Sequence, residues 1–74
     1  MKALTVEQQL KNFVWYLLDH DRDIDDLYEQ GENKYSIVNS IAWRARVVFG
    51  QQSFESGEMN LIIERAYDYW LSEA

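Results

Sequence analysis

Apolar residues recur along most of this chain with the spacing of an α-helix rather than the alternation of a β-strand. The first such segment follows Thr5, which has Gln8 three residues later, the spacing of an N-terminal capping box. It predicts a helix over residues 6–18. Its apolar stripe is formed by Val6, Leu10, Phe13, Val14, Leu17 and Leu18. Trp15 falls among the polar residues, away from this stripe.

An acidic segment follows, with five aspartates in the eight positions from Asp19 to Asp26. A continuous helix would place like charges four residues apart, at roughly 0.2–0.5 kcal/mol for each pair, and would put negative charge near a helix C-terminus. A break is therefore predicted, with Asp21 or Asp23 capping a short second helix over residues 24–30 that Gly31 ends. Its expected buried face is Ile24, Leu27 and Tyr28.

The third segment predicts a helix over residues 36–49, with Ser36 as its N-cap and Gly50 behind its C-terminus. One broad side is apolar and consists of Ile37, Val38, Ile41, Ala42, Ala45, Val48 and Phe49. Trp43 and Val47 lie on the other side. We expect this helix to be central and covered on more than one side, which makes Trp43 and Val47 core residues; the alternative is that they form an interface.

The last segment predicts a helix over residues 57–72, capped by Ser53 or Ser56. Its apolar face consists of Met59, Ile62, Ile63, Ala66, Tyr69 and Trp70, and Leu61 lies off that face. Short connections join the segments. The pattern as a whole predicts an all-α fold, a compact bundle of three main helices and one short helix, in a single domain over residues 1–74 without a linker.

Composition supports a packed core, because 47% of the 74 residues are hydrophobic and 15% are aromatic. A domain of this size has a thin core, so a large enclosed active site is not expected. The longest apolar run, Phe13 to Leu18, is far shorter than the roughly 20 residues of a membrane span. No signal segment precedes the first helix, so we expect a cytoplasmic protein.

Catalytic residues are scarce. Cysteine is absent, the single histidine is His20, and neither a glycine-flanked serine nor a glycine-rich phosphate loop occurs. His20 among aspartates is expected to be a solvated side chain rather than a catalytic base. We therefore expect a protein that is not an enzyme and needs no cofactor.

Calcium is a weaker hypothesis for the acidic segment, because a hard cation is bound by oxygen ligands at alternate loop positions. The candidate ligands are Asp21, Asp23, Asp25 and Glu32, at loop positions 1, 3, 5 and 12. The loop pattern fails at Asp26, where glycine is required, and at Tyr28, where a small aliphatic residue is required. The simpler interpretation is an acidic connection that also caps a helix.

Charge is distributed unevenly, although the net value is −6. Residues 33–51 contain three bases, Lys34, Arg44 and Arg46, and no acids, whereas the remainder has 13 acids and four bases. Direct nucleic-acid binding through the basic third helix is one hypothesis, which the negative charge of the whole molecule opposes. In the other hypothesis, Arg44 and Arg46 form ion pairs within the fold or at an interface. The acidic face, residues 19–32 with Glu64 and Asp68, then meets a basic partner and could mimic nucleic-acid phosphates.

The leading hypothesis is a non-catalytic protein-interaction module, a small inhibitor or accessory regulator of a larger protein, of a type common in phages and mobile elements. Aromatic residues and arginine are the usual composition of an interface centre. The candidate partner-binding residues are Trp15, Asp19, Asp21, Asp23, Asp25, Asp26, Trp43, Arg44 and Arg46. A homodimer through the same aromatics, a nucleic-acid-binding regulator and a calcium-responsive module are the alternatives.

Overall fold

The computed structural model describes residues 4–50, 54 and 57–73. These residues form four α-helices: α1 (Val6–His20), α2 (Arg22–Glu29), α3 (Lys34–Phe49) and α4 (Glu58–Glu73). The predicted all-α bundle of three main helices and one short helix is confirmed. None of the described helices is long and apolar enough to cross a membrane.

Local capping interactions fix the beginning of α1 and the break after it. Thr5 and Gln8 each bind the other's backbone N–H, at 2.9 and 3.1 Å, which confirms the capping box. Asp21 alone separates α1 from α2, and its Oδ1 accepts a hydrogen bond from the Ile24 N–H at 3.1 Å. The break is therefore where the aspartates predict it. Because one extended residue suffices for the turn, both helices run two residues closer to it than predicted.

The N-cap of α3 is Asn33, so the prediction of Ser36 is wrong. The Asn33 side chain accepts a hydrogen bond from the Ser36 N–H at 2.9 Å, which places Ser36 inside the first turn. At the other end, Gly50 has φ 77° and ψ 154°, a conformation that essentially only glycine adopts. The predicted caps of α4, Ser53 and Ser56, lie outside the described residues.

One core unites the four helices. Its buried members are Leu10, Val14, Leu17, Leu18, Ile24, Ile37, Val38, Ile41, Ala42, Ala45, Met59, Ile62, Ile63, Ala66 and Tyr67. Most of them belong to the predicted apolar stripes. On α4 the prediction is wrong at Tyr69, which is exposed, and Tyr67 is buried instead, because the covered side of this helix is rotated toward Tyr67. Tyr28 and Val6, both assigned to buried stripes, are exposed near the ends of their helices.

The outer side of α3 is not covered by any described part of the chain. Trp43 is 70% exposed and Val47 is 83% exposed, so the expectation of a helix buried on more than one side is wrong. Helices α1, α2 and α4 all pack on the side of Ile41 and leave the opposite side open. Val48, predicted to be buried, is also exposed, because the last turn of α3 is covered on the side of Phe49 instead.

Side-chain contacts define the relative directions of the main helices. Helices α3 and α4 run in opposite directions, because Lys34 contacts Asp68 while Asn39 contacts Asn60. Helices α1 and α3 do so as well, because Phe13 packs on Phe49, at the end of α3, whereas Asp21 contacts Arg44, one turn earlier. Helices α1 and α4, which share the most extensive contact in the fold, therefore run in the same direction.

Candidate interaction surfaces

Arg44 binds two of the aspartates that the sequence analysis assigned to a partner. Its Nη1 lies 2.6 Å from Asp21 Oδ2, and its Nη2 donates a hydrogen bond of 3.2 Å to Asp23 Oδ2. The Arg44 guanidinium lowers the pKa of the Asp21 carboxyl, and that carboxylate in turn raises the pKa of Arg44. Nη1 is buried and makes no hydrogen bond of good geometry with the described residues. Its charge is instead compensated by the Asp21 carboxylate of the ion pair. Arg44 and Asp21 thus stabilise the fold, and α2 is held against α3.

Lys34 joins α3 to α4 in a similar way. Its Nζ lies 3.0 Å from Glu64 Oε1 and donates a hydrogen bond of 2.9 Å to Asp68 Oδ2. The hydrogen bonds with Asp68 and Glu64 raise the pKa of Lys34. Two of the three bases in the predicted nucleic-acid surface therefore pair within the fold, and only Arg46 is exposed without an ion pair to a described residue.

The acidic face is smaller than the sequence predicts. Glu64 and Asp68 are paired with Lys34, and Asp19 accepts a hydrogen bond of 2.9 Å from the Trp70 indole N–H. Four exposed acids whose side chains make no ion pair or hydrogen bond with the described residues lie on and just after α2: Asp25, Asp26, Glu29 and Glu32. Together with Asp23, whose side chain is 81% exposed, they form what we call the α2 acidic surface. Glu73, at the end of α4, is another exposed acid of this kind and lies outside this group.

The calcium hypothesis gains no support from this arrangement. No group of three or more histidine, aspartate or glutamate side chains within the described residues is placed to hold a metal ion. Asp21, the first candidate ligand, directs one carboxylate oxygen to the α2 cap and the other to Arg44.

The exposed side of α3 carries Tyr35, Trp43, Arg46 and Val47, which we call the outer α3 face. Trp43 and Val47 are four residues apart and are therefore neighbours on the helix surface. Val47 also follows Arg44 by three residues, so the outer α3 face borders the ion pairs that hold α2. The outer α3 face therefore adjoins the α2 acidic surface at Asp23.

Trp15 has a different position from Trp43. It is half-buried against the core, and its ring centroid lies 5.8 Å from that of Tyr69. The two rings line a groove between α1 and α4 with a volume of about 400 Å³. The full lining is Lys11, Asn12, Trp15, Arg65, Ala66 and Tyr69. Trp15 is one of the predicted partner-binding residues, whereas Arg65 and Tyr69 are not. The shared pattern, a base four residues before an aromatic residue in both helices, is the signal that could have linked them.

Comparisons of the chain with protein-family models, with curated proteins and with solved structures found no match.

Proposed function

We propose that this protein is a non-catalytic interaction module, a small inhibitor or accessory regulator that occupies a surface of a larger protein. The observation that carries the proposal is the exposure of Trp43 and Val47 on the outer α3 face, beside the α2 acidic surface. A cytoplasmic site of action and an origin in a phage or mobile element belong to the same proposal, because small regulators of this kind are common there.

Trp43 contributes little to the fold that holds it. Trp15 and Trp70 each contact a tyrosine ring, whereas Trp43 has no ring contact with any described residue. A tryptophan presents about 150–250 Å², so covering the exposed 70% of Trp43 would contribute roughly 3–4 kcal/mol at ~25 cal/mol/Å², before the costs of association. Such a side chain is suited to be the central anchor of an interface.

The charges beside this anchor indicate the chemistry of the partner. Asp23 and Asp26 lie three residues apart on α2 and therefore share one side of the helix. Because Arg44 holds Asp23, the acidic surface keeps a fixed position next to the apolar one. A partner with an apolar socket bordered by lysine or arginine fits this arrangement. The nucleic-acid groove of another protein has such a border, and the carboxylates would then take the place of phosphates.

Affinity capture tests the apolar part of the proposal. The tagged full chain is used to isolate partners from the cells that produce it, in parallel with a Trp43→Ala/Val47→Ser variant. Tyr16→Ala is the matched control, because Tyr16 is 62% exposed on α1 and belongs to neither surface. We expect the double variant to fold normally and lose the partner that wild type and control retain. Equal recovery by all three proteins would contradict the proposal. A second copy of the chain as the only partner, detected by light scattering, would replace it with a homodimer.

The acidic part is tested separately with the isolated partner. Asp25→Asn/Asp26→Asn should slow association, and the difference from wild type should shrink as salt is added, because surface charges act mainly on the association rate. Glu73→Gln, an exposed charge at the end of α4, is the control and should leave the rate unchanged. An association rate that is the same for wild type and the double variant at low salt would remove the α2 acidic surface from the interface.

A further inference from the structure

We propose that the groove between α1 and α4 is a binding site for a nucleoside phosphate, with the phosphate near Lys11 and Arg65 and the base against Trp15 and Tyr69. This site shares no residue with the outer α3 face or the α2 acidic surface, so it is independent of the function proposed above.

The groove concentrates positive charge in an acidic protein. Of the six described bases, Lys34 and Arg44 are consumed in ion pairs within the fold, while Lys11 and Arg65 line this one groove. None of the described carboxylates is among its lining residues. Lys11 lies 3.8 Å from Glu7, but both side chains are about half-exposed, and a pair of this kind contributes little. Lys11 is therefore available to an incoming anion.

The bases and the rings occupy different ends of the groove. Because α1 and α4 run in the same direction, Lys11 and Arg65 lie together at one end of the groove, on the N-terminal side of the two rings. Trp15 and Tyr69 follow them by four residues, a rise of about 6 Å along each helix. That is the kind of separation that a ribose provides between a base and its 5′-phosphate. The groove therefore matches a ligand with a flat ring at one end and an anion at the other.

Ligand size and charge favour a mononucleotide over the other candidates. A volume of about 400 Å³ lies within the range of small-molecule sites, about 300–1,000 Å³. A phosphate monoester carries a charge near −2 at neutral pH, which matches both bases, and the Arg65 guanidinium is suited to bind two of its oxygens. Bases of nucleic acids stack readily on tryptophan and tyrosine. A longer strand is disfavoured, because the molecule as a whole carries a net charge of −6.

A nuclear magnetic resonance titration of the ¹⁵N-labelled full chain with adenosine monophosphate tests the site. We expect the Trp15 indole N–H signal to shift in a saturable way and the Trp43 signal to stay in place, although Trp43 is far more exposed. Adenosine and inorganic phosphate, which each supply half of the ligand, should bind more weakly. Lys11→Gln/Arg65→Gln should weaken adenosine monophosphate binding roughly tenfold or more. Arg22→Gln, which removes an exposed arginine on α2, should leave it unchanged.

Three results would overturn the proposal. Equal shifts of Trp43 and Trp15 would show unspecific stacking. Unchanged binding by the Lys11→Gln/Arg65→Gln variant would show that the bases do not hold the phosphate. An aromatic carboxylate such as benzoate that binds as tightly as adenosine monophosphate would show that neither the phosphate nor the ribose is recognised. None of these results bears on the binding surface around Trp43.

Discussion

Asp21 has two structural roles, and two substitutions separate them. One carboxylate oxygen caps α2 through the Ile24 N–H, and the other lies 2.6 Å from Arg44. Asp21→Asn preserves the cap, because asparagine is as good an N-cap as aspartate, but removes the charge. Asp21→Ala removes both.

The structure sets the size of each effect. Loss of an N-cap costs about 1 kcal/mol, within a range of roughly 0.5–2. The ion pair is partly shielded, with the side chains 27% and 31% exposed, and contributes up to about 1 kcal/mol. Its loss also leaves the buried Arg44 Nη1 without its counter-charge. We expect Asp21→Asn to lower the free energy of unfolding by about 1 kcal/mol and Asp21→Ala by about 2 kcal/mol.

Thermal unfolding followed by circular dichroism measures both effects, because about 1 kcal/mol corresponds to a Tm shift of roughly 4–8 °C in a domain of this size. Asp26→Asn is the control and should change stability by less than about 0.5 kcal/mol, because its side chain is exposed and unpaired with the described residues. An Asp21→Asn variant as unstable as Asp21→Ala would show that the cap contributes nothing.

The pH dependence provides a second check on the pair. Arg44 lowers the pKa of Asp21 in the folded protein, so the stabilisation is present above the ordinary value of 3.8 and is lost as the pH falls through the lower folded pKa. The Asp21→Asn variant lacks this contribution, so its stability should fall less than that of wild type when the pH is taken below 3.8. Identical pH profiles would contradict the assigned ion pair.

Three further substitutions test the packing. In urea unfolding, Ile41→Ala should lower the free energy of unfolding by about 2–5 kcal/mol, because Ile41 is fully buried. Trp43→Ala should change it by less than about 0.5 kcal/mol, because Trp43 is exposed. Similar losses in the two variants would contradict the open side of α3. Gly50→Ala should cost about 1–3 kcal/mol, because its φ of 77° and ψ of 154° strain any other residue; an unchanged Tm would contradict that conformation. Trp70→Phe should lower the free energy of unfolding by about 1 kcal/mol, because it removes the indole N–H that donates to Asp19. The same substitution in an Asp19→Ala background should lower it by less. Equal losses in the two backgrounds would rule out that hydrogen bond.

Features set by neighbouring residues were predictable from the sequence. The capping box of α1, the break among the aspartates and the buried stripes depend on residues three or four positions apart. The box and the break are present in the structure, and so are the stripes except at Val6, Tyr28, Val48 and Tyr69. The N-cap of α3 was missed because Asn33 and Ser36 are both good capping residues, and the choice between them depends on where the preceding loop ends.

Features set by the arrangement of the helices were not predictable. Periodicity shows that Trp43 lies opposite Ile41, but only the positions of α1, α2 and α4 reveal that no described element covers it. The ion pairs of Arg44 join residues more than 20 positions apart, and the groove beside Trp15 lies between α1 and α4, which are far apart in the sequence and pack against each other. Nothing in the local sequence specifies either arrangement.

Site-specific photo-cross-linking tests most directly whether the outer α3 face binds a partner. A photoreactive amino acid replaces Trp43 in one protein and Tyr16, of similar exposure, in another, and both are irradiated in the cells that produce the chain. We expect a discrete covalent adduct with one larger protein from position 43 and none from position 16. Adducts of equal yield from both positions, or an adduct from position 16 alone, would contradict binding through the outer α3 face.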